Sequence, residues 1–202
     1  MAKPAGSACN LDCAYCFYLS KRVLPGGPGS GHMPDEVLER FVKDYIDSVT
    51  SDEVVFSWQG GEPTLLGLEF FEKVVTLQAK HAKPGQRIEN DLQTNGTLLD
   101  DDWARFLKQH RFLVGLSIDG PREIHDHCRI TKHAEPTFDQ VFAAAKMLQK
   151  HGVRFNTLTC VHRYNASRPL DVYRFLRREI GSTYIQFIPI VEIKGFENMA
   201  PG

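Results

Sequence analysis

Three of the five cysteines, Cys9, Cys13 and Cys16, stand within eight residues, while Cys128 and Cys160 lie far along the chain. An odd cysteine count with three clustered thiols, behind a Met-Ala-Lys-Pro start that lacks the apolar stretch of a secretory signal, points to metal or redox chemistry rather than disulfides. The Cys-x3-Cys-x2-Cys spacing supplies three thiolates from one loop, with no fourth Cys or His at local zinc spacing. Three thiolates suit an iron–sulfur cluster with one iron left open, because soft thiolates favour such clusters and a small molecule can complete the open iron. The alternatives at this point are three buried structural cysteines, or a zinc completed by His32 or Cys160.

The elements that must position this loop follow from apolar periodicity. Val37, Leu38, Phe41, Val42, Tyr45, Ile46 and Val49 recur at helical spacing behind Pro34 and Asp35. Residues 53–58 read as a β-branched strand stopped by Gly60 and Gly61, and 68–81 as a helix with Phe71, Val74, Val75 and Gln78 along one side. Residues 87–93 read as a strand ending at Thr94-Asn95-Gly96, 100–109 as a helix, and 112–118 as a strand ending at Asp119-Gly120-Pro121. Then come a helix at 137–150, a strand at 154–161, a helix at 169–180 and a strand at 184–190. Counting residues 1–5 as the first, there are six strands.

Strands alternating with helices predict an α/β fold with a parallel sheet. Six units are fewer than the eight of a closed barrel, so an open partial barrel and a doubly wound sheet are both candidates. Either places its site at the carboxyl ends of the strands, where the cysteine loop, residues 59–63, 94–96 and 117–121 all fall. The run Pro25-Gly-Gly-Pro-Gly-Ser-Gly31 reads as a loop and not a phosphate cradle, since no Gly-Lys-Ser/Thr follows. In His125-Asp126-His127-Cys128, histidines two apart on a helix would diverge by about 200°, so a solvent-exposed loop pair is expected rather than a second metal site.

Composition limits the partners. In 202 residues, 24 Lys+Arg against 25 Asp+Glu leave a formal charge of −1, which argues against a strongly basic nucleic-acid binder. No apolar run reaches the roughly eighteen residues of a membrane span. A single-domain chain in a reducing cytoplasm is expected, with neither nucleic acid nor membrane as partner.

With these residues in place, the chain resembles a known family. Cys9-Asn-Leu-Asp-Cys13-Ala-Tyr15-Cys16-Phe-Tyr18 resembles the cluster loop of the radical S-adenosylmethionine (SAM) superfamily. The opening Lys-Pro-Ala-Gly-Ser-Ala-Cys, Gln59-Gly-Gly-Glu-Pro-Thr-Leu-Leu-Gly-Leu-Glu-Phe-Phe71, Leu92-Gln-Thr-Asn-Gly-Thr97 and Phe112-Leu-Val-Gly-Leu-Ser-Ile-Asp-Gly-Pro121 resemble the anaerobic sulfatase-maturating enzymes within it, over residues 2–192. The resemblance implies a partial (β/α)6 barrel of the radical SAM type, with helices outside a parallel sheet. It implies one 4Fe-4S cluster and S-adenosyl-L-methionine as cofactors. The expected reaction starts with hydrogen abstraction by a 5′-deoxyadenosyl radical from the β-carbon of a cysteine or serine in a sulfatase. A second electron loss and hydrolysis then give Cα-formylglycine. The implied partners are the sulfatase polypeptide and a reductant such as flavodoxin or ferredoxin.

Residue by residue, the resemblance assigns Cys9, Cys13 and Cys16 to the cluster. It places Tyr15 beside adenine, the turn Gly60-Gly61-Glu62 at the methionyl ammonium, and Asn95 and Ser117 on the cosubstrate. Arg129 is assigned to the cosubstrate carboxylate, with a surface ion pair to Asp126 as the alternative, and Val191 to an apolar contact with adenine. Gln59 and Tyr18 match substrate-proximal positions, although Tyr18 reads equally as core within the apolar run 17–19. The chain departs from the family in lacking a C-terminal cysteine-rich domain with two further clusters, and with it the aspartate that acts as general base. Residues 1–192 are therefore expected to be the core domain of a truncated enzyme and 193–202 a tail. Such a core would cleave SAM but lose the second oxidation. Two rival expectations are a thioether- or crosslink-forming peptide enzyme of the same superfamily, and a cluster- and SAM-binding module without turnover.

Overall fold

The computed structural model describes residues 1–18 and 32–190; the glycine-rich run at 25–31 and Val191 lie outside them. Pro34 stands at the N-cap of α1 (Asp35–Ser48) in extended conformation, and Asp35 and Glu36 set negative charge against its first turn. Leu38, Val42 and Ile46 are buried at four-residue spacing, with Phe41, Tyr45 and Val49 packed beside them. Val37 falls past the edge of that stripe and is exposed.

β1 (Glu53–Trp58) leads through a 3₁₀ turn (Pro63–Leu66) to α2 (Leu68–His81), β2 (Arg87–Thr94), α3 (Asp101–Gln109) and β3 (Leu113–Ser117). After these come α4 (Arg122–Cys128), α5 (Phe138–Lys150), β4 (Arg154–Val161), a short α6 (Arg163–Ala166), α7 (Pro169–Arg174) and β5 (Ile185–Pro189). The strands form one sheet in chain order, β1-β2-β3-β4-β5, and every pair is parallel. Right-handed crossovers between sequential neighbours place every helix on one face, whereas a doubly wound sheet requires the order to reverse. The partial barrel with outer helices is therefore the architecture. On β1, Val54, Phe56 and Trp58 are completely or almost completely buried toward the helices, while Val55 between them is 40% exposed on the concave side.

Three expectations and one alternative change. Residues 1–5 do not form a strand of the sheet: Ala2 makes one parallel bridge to Trp58, through Ala2 N–H to Ser57 O and Gln59 N–H to Ala2 O, and the chain turns at Pro4. Proline has no N–H with which to extend the ladder. The segment expected as an exposed histidine loop is helix α4, which starts behind Pro121 and buries Ile124, His125 and Cys128; only His127 of the pair faces outward, stacked on Tyr164 at 4.1 Å. Its seven residues are too few for periodicity to be legible. The helix expected over 169–180 breaks after Arg174 into a π-helical turn, Phe175–Glu179. Arg129 does not pair with Asp126, whose carboxylate instead caps α5 by accepting from the Thr137 and Phe138 N–H groups.

The core is an aromatic cluster in which Trp58 meets Phe71 at 5.9 Å and Phe71 meets Trp103 at 5.4 Å. It contains one polar knot. Asn90 accepts from Trp58 Nε1 at 2.8 Å and Gln78 Nε2 at 2.9 Å and returns a bond from its own amide to Gln78. An Asn90→Leu substitution leaves the Trp58 and Gln78 donors unsatisfied, at about 1–3 kcal/mol each. Urea unfolding should show a midpoint lowered accordingly, with the slope unchanged.

Candidate active site

The cysteine loop is held at the carboxyl rim by contacts with four strand ends. Past β1, Gly61 N–H donates to Gly6 O at 2.9 Å and Glu62 N–H to Ala8 O at 2.7 Å. This backbone approach leaves no room for a side chain: a Cβ on Gly61 would sit 1.9 Å from Ala8 O, and one on Gly60, whose φ is +126°, would sit 2.8 Å from Gly6 O. Past β2, Asn95 Nδ2 donates to Asn10 Oδ1 at 2.9 Å and lies 3.8 Å from Cys9 Sγ, while Asn10 Nδ2 donates to Thr97 Oγ1 at 2.8 Å. Past β3, the Tyr15 hydroxyl donates to Asp119. Past β4, the Tyr15 ring stacks on His162 at 5.6 Å. The end of α4 and the residues after it close the other side, with Ala14 N–H on Cys128 O and Asp12 N–H on Ile130 O, both at 2.9 Å.

All five cysteines are free thiols. Burial pushes Cys13 up to about 12, partly offset by the Arg129 charge and reinforced by Cys16 and Cys9; burial also raises Cys9. The three thiols thus lie close enough to feel one another's charge. Among the described residues no three His, Cys, Asp or Glu side chains converge as a single metal ion requires. The zinc alternative with His32 or Cys160 therefore has no ligand set here.

Glu62 is buried and ties the β1 turn to the end of β2. Its Oε1 accepts from Thr64 N, Thr64 Oγ1 and Thr94 Oγ1, and its Oε2 from Asn95 N at 2.7 Å. Burial nevertheless raises its pKa against the pull of these donors. With the carboxylate so engaged, the turn presents backbone to a ligand. Ser117 ends β3, buried beneath the rim. Gln59 is half-buried just past β1. Tyr18 is also half-buried, with Lys3 Nζ 5.2 Å from its ring centroid; Phe17 beside it is 58% exposed and does not enter the core.

Two residues not singled out in the sequence hold this site together. Asp119 is fully buried and accepts from Arg129 Nε at 2.9 Å, Arg129 Nη2 at 3.2 Å and Cys160 N at 3.0 Å, besides Tyr15. Removing one partner of a buried ion pair costs about 3–5 kcal/mol. His162, directly after β4, has a buried Nε2 without a partner among the described residues, a polar atom suited to a bound ligand. The available signals were the Asp-Gly-Pro stop for Asp119 and a strand-end position for His162.

His125 supports Asp119 from below. Thr137 Oγ1 donates to Arg129 O, so it accepts from His125 Nε2 at 3.1 Å, leaving Nδ1 to accept from Asp119 N–H. A proton on Nδ1 would face that N–H. Burial, with the Arg129 charge, lowers the His125 pKa to about 3.

Two predictions follow from these contacts. Gly61→Ala displaces the segment leading to Cys9, so the folded variant, with unchanged far-ultraviolet circular dichroism, should take up far less iron on anaerobic reconstitution. For His125, the unfolded chain binds a proton below pH about 6.5 while the folded chain does not until about pH 3, so stability falls as pH drops through that window, by up to about 1.4 kcal/mol per unit. Urea titrations at several pH values should show a shallower acid loss in His125→Gln.

The radical SAM superfamily pattern matches residues 4–176. The serine-type anaerobic sulfatase-maturating enzyme of Bacteroides thetaiotaomicron is 47% identical over 192 residues, covering 95% of this chain and 46% of the relative. The cysteine-type enzyme of Clostridium perfringens is 46% identical over 203 residues, covering 98% and 54%. A solved structure described as native anSMEcpe with bound AdoMet and Kp18Cys peptide superposes with a TM-score of 0.88 at 44% identity, over 98% of this chain and 54% of that one. The chain spans about half the length of the curated relatives it matches. With its cysteine loop seated on the strand ends of a parallel half-barrel, the chain belongs to the radical SAM superfamily.

Proposed function

We propose that this chain oxidises a cysteine or serine side chain of a sulfatase polypeptide to Cα-formylglycine, as the core of an anaerobic sulfatase-maturating enzyme. The observation that carries the reading is the seating of three mutually interacting free thiols on the ends of four strands, in a chain 46–47% identical to maturating enzymes of both types.

The residues present fit the cofactors of the superfamily. Thiolates that bind separate irons need mutual proximity rather than convergence on one point, which is how Cys9, Cys13 and Cys16 stand. The orphaned His162 Nε2 and the Arg129 guanidinium provide polar groups for a cosubstrate beside them. When bound, cluster and S-adenosylmethionine supply the electron and the 5′-deoxyadenosyl radical that begins the oxidation.

The chain's own residues bind and orient. Cys9, Cys13 and Cys16 hold the cluster, and Leu11 N–H, 3.4 Å from Cys9 Sγ, steadies the first of them. The Gly60-Gly61 backbone meets the methionyl ammonium, and Arg129 meets the carboxylate with its planar donor fork. Ser117 and Asn95 flank the cosubstrate, Asn95 also fixing Cys9 through Asn10. Tyr15, packed against His162 with Arg129 Cζ 5.5 Å from its ring centroid, braces the loop at the adenine side, and the sequence resemblance assigns Val191 an apolar contact with adenine. Gln59 and Tyr18 face the substrate. A groove of about 450 Å³ beside Cys9, lined by Ala8, Asn10, Leu65, Lys132 and His133, is where a reductant such as flavodoxin or ferredoxin would approach.

Anaerobic incubation with S-adenosylmethionine, dithionite and a sulfatase-derived peptide, read by mass spectrometry, should show formylglycine at the target cysteine or serine. A thioether or crosslink instead would favour another peptide-modifying activity. An unmodified peptide with no 5′-deoxyadenosine formed would favour a binding module without turnover.

A further inference from the structure

Asp119 stands outside every assignment made above, yet more of the site converges on it than on any cosubstrate-facing residue. Its carboxylate is completely buried on the turn between β3 and α4, two residues past Ser117. Four donors from three segments meet it: Arg129 through both Nε and Nη2, the Tyr15 hydroxyl between two of the loop cysteines, and the Cys160 N–H at the end of β4. Its own N–H is held by His125 Nδ1 at 3.4 Å. A side-on carboxylate fixes the plane of a guanidinium and leaves the Nη1 edge to meet a second anion. Arg129 itself is only 7% exposed, so its long side chain has no alternative resting place in solvent.

We infer that Asp119 is a positioning residue of the cosubstrate site: its carboxylate aims the Arg129 guanidinium at the cosubstrate carboxylate and, through Tyr15, sets the loop between Cys13 and Cys16. The inference rests on the proposed reading in which Arg129 binds S-adenosylmethionine. Asp119 acts through Arg129 and Tyr15 and need not touch the ligand. Without it, Arg129 keeps its charge but loses its direction, so binding of the cosubstrate suffers while the three cysteines remain.

The test is S-adenosylmethionine affinity of the anaerobically reconstituted protein, together with the change its addition makes to the electron paramagnetic resonance spectrum of the reduced cluster. Asp119→Asn, Arg129→Gln and the double variant are compared at equal iron content, below their melting temperatures. The expected result is at least a tenfold loss of affinity and a diminished spectral change in Asp119→Asn, with the double variant no weaker than Arg129→Gln alone, because coupled residues are not additive. Wild-type affinity and spectrum in Asp119→Asn would overturn the positioning role, as would full additivity in the double variant. If Asp119→Asn does not fold, Asp119→Glu keeps the charge and shifts it by one methylene; a several-fold loss of affinity supports the role, and unchanged affinity overturns it. Absence of binding by the wild-type protein would overturn the functional reading itself.

Discussion

Thiols crowded into one short loop repel one another as soon as they ionise, and burial makes Cys9 and Cys13 harder to ionise. That constraint organises everything around Cys9, Cys13 and Cys16. The Cys13 thiol, pushed up to about 12, becomes a thiolate at neutral pH only when a metal displaces its proton. The protein's contribution is to hold the three side chains together before that happens. It does so with backbone and amide contacts rather than positive charge: Gly61 on Gly6, Glu62 on Ala8, Asn10 on Thr97, Ala14 on Cys128. The nearby cation, Arg129, is largely compensated by Asp119.

The same contacts explain why the strand order matters. Sequential parallel strands put four carboxyl ends side by side, so one loop can touch all of them without long insertions. Glu62 and Asp119 then serve comparable purposes at neighbouring strand ends. Glu62 joins the β1 turn to β2, and Asp119 joins β3 to β4, the cysteine loop and the segment after α4. Each is a buried carboxylate surrounded by donors, costly to disturb and therefore well suited to fix geometry.

Much of this was legible in the sequence because its signals are local. Strand β1, helix α2 and strand β4 fall at the expected residues, since their alternation or helical spacing and their stops lie within each segment. The cysteine spacing and the Gly-Gly-Glu turn marked the rim. What was not legible depends on distant partners. A strand at residues 1–5 needed a ladder that Pro4 cannot extend. Burial of His125 needed Thr137 and Asp119 to satisfy both of its nitrogens. The alternative partner weighed for Arg129 was Asp126, three residues away, whereas the ion pair is made ten residues back, across the turn and α4. Asp119 itself looked like a turn residue, because nothing in Asp-Gly-Pro reveals that three other segments will close over its carboxylate.

A cluster in the cysteine loop differs from a lone ion there in its iron and sulfide content. The most direct measurement is iron and acid-labile sulfide content after anaerobic reconstitution, comparing wild type with Cys13→Ala. The expected result is about four iron and four sulfide per wild-type chain and a severe loss in the variant. One zinc per chain with no sulfide, unchanged by the substitution, would contradict it.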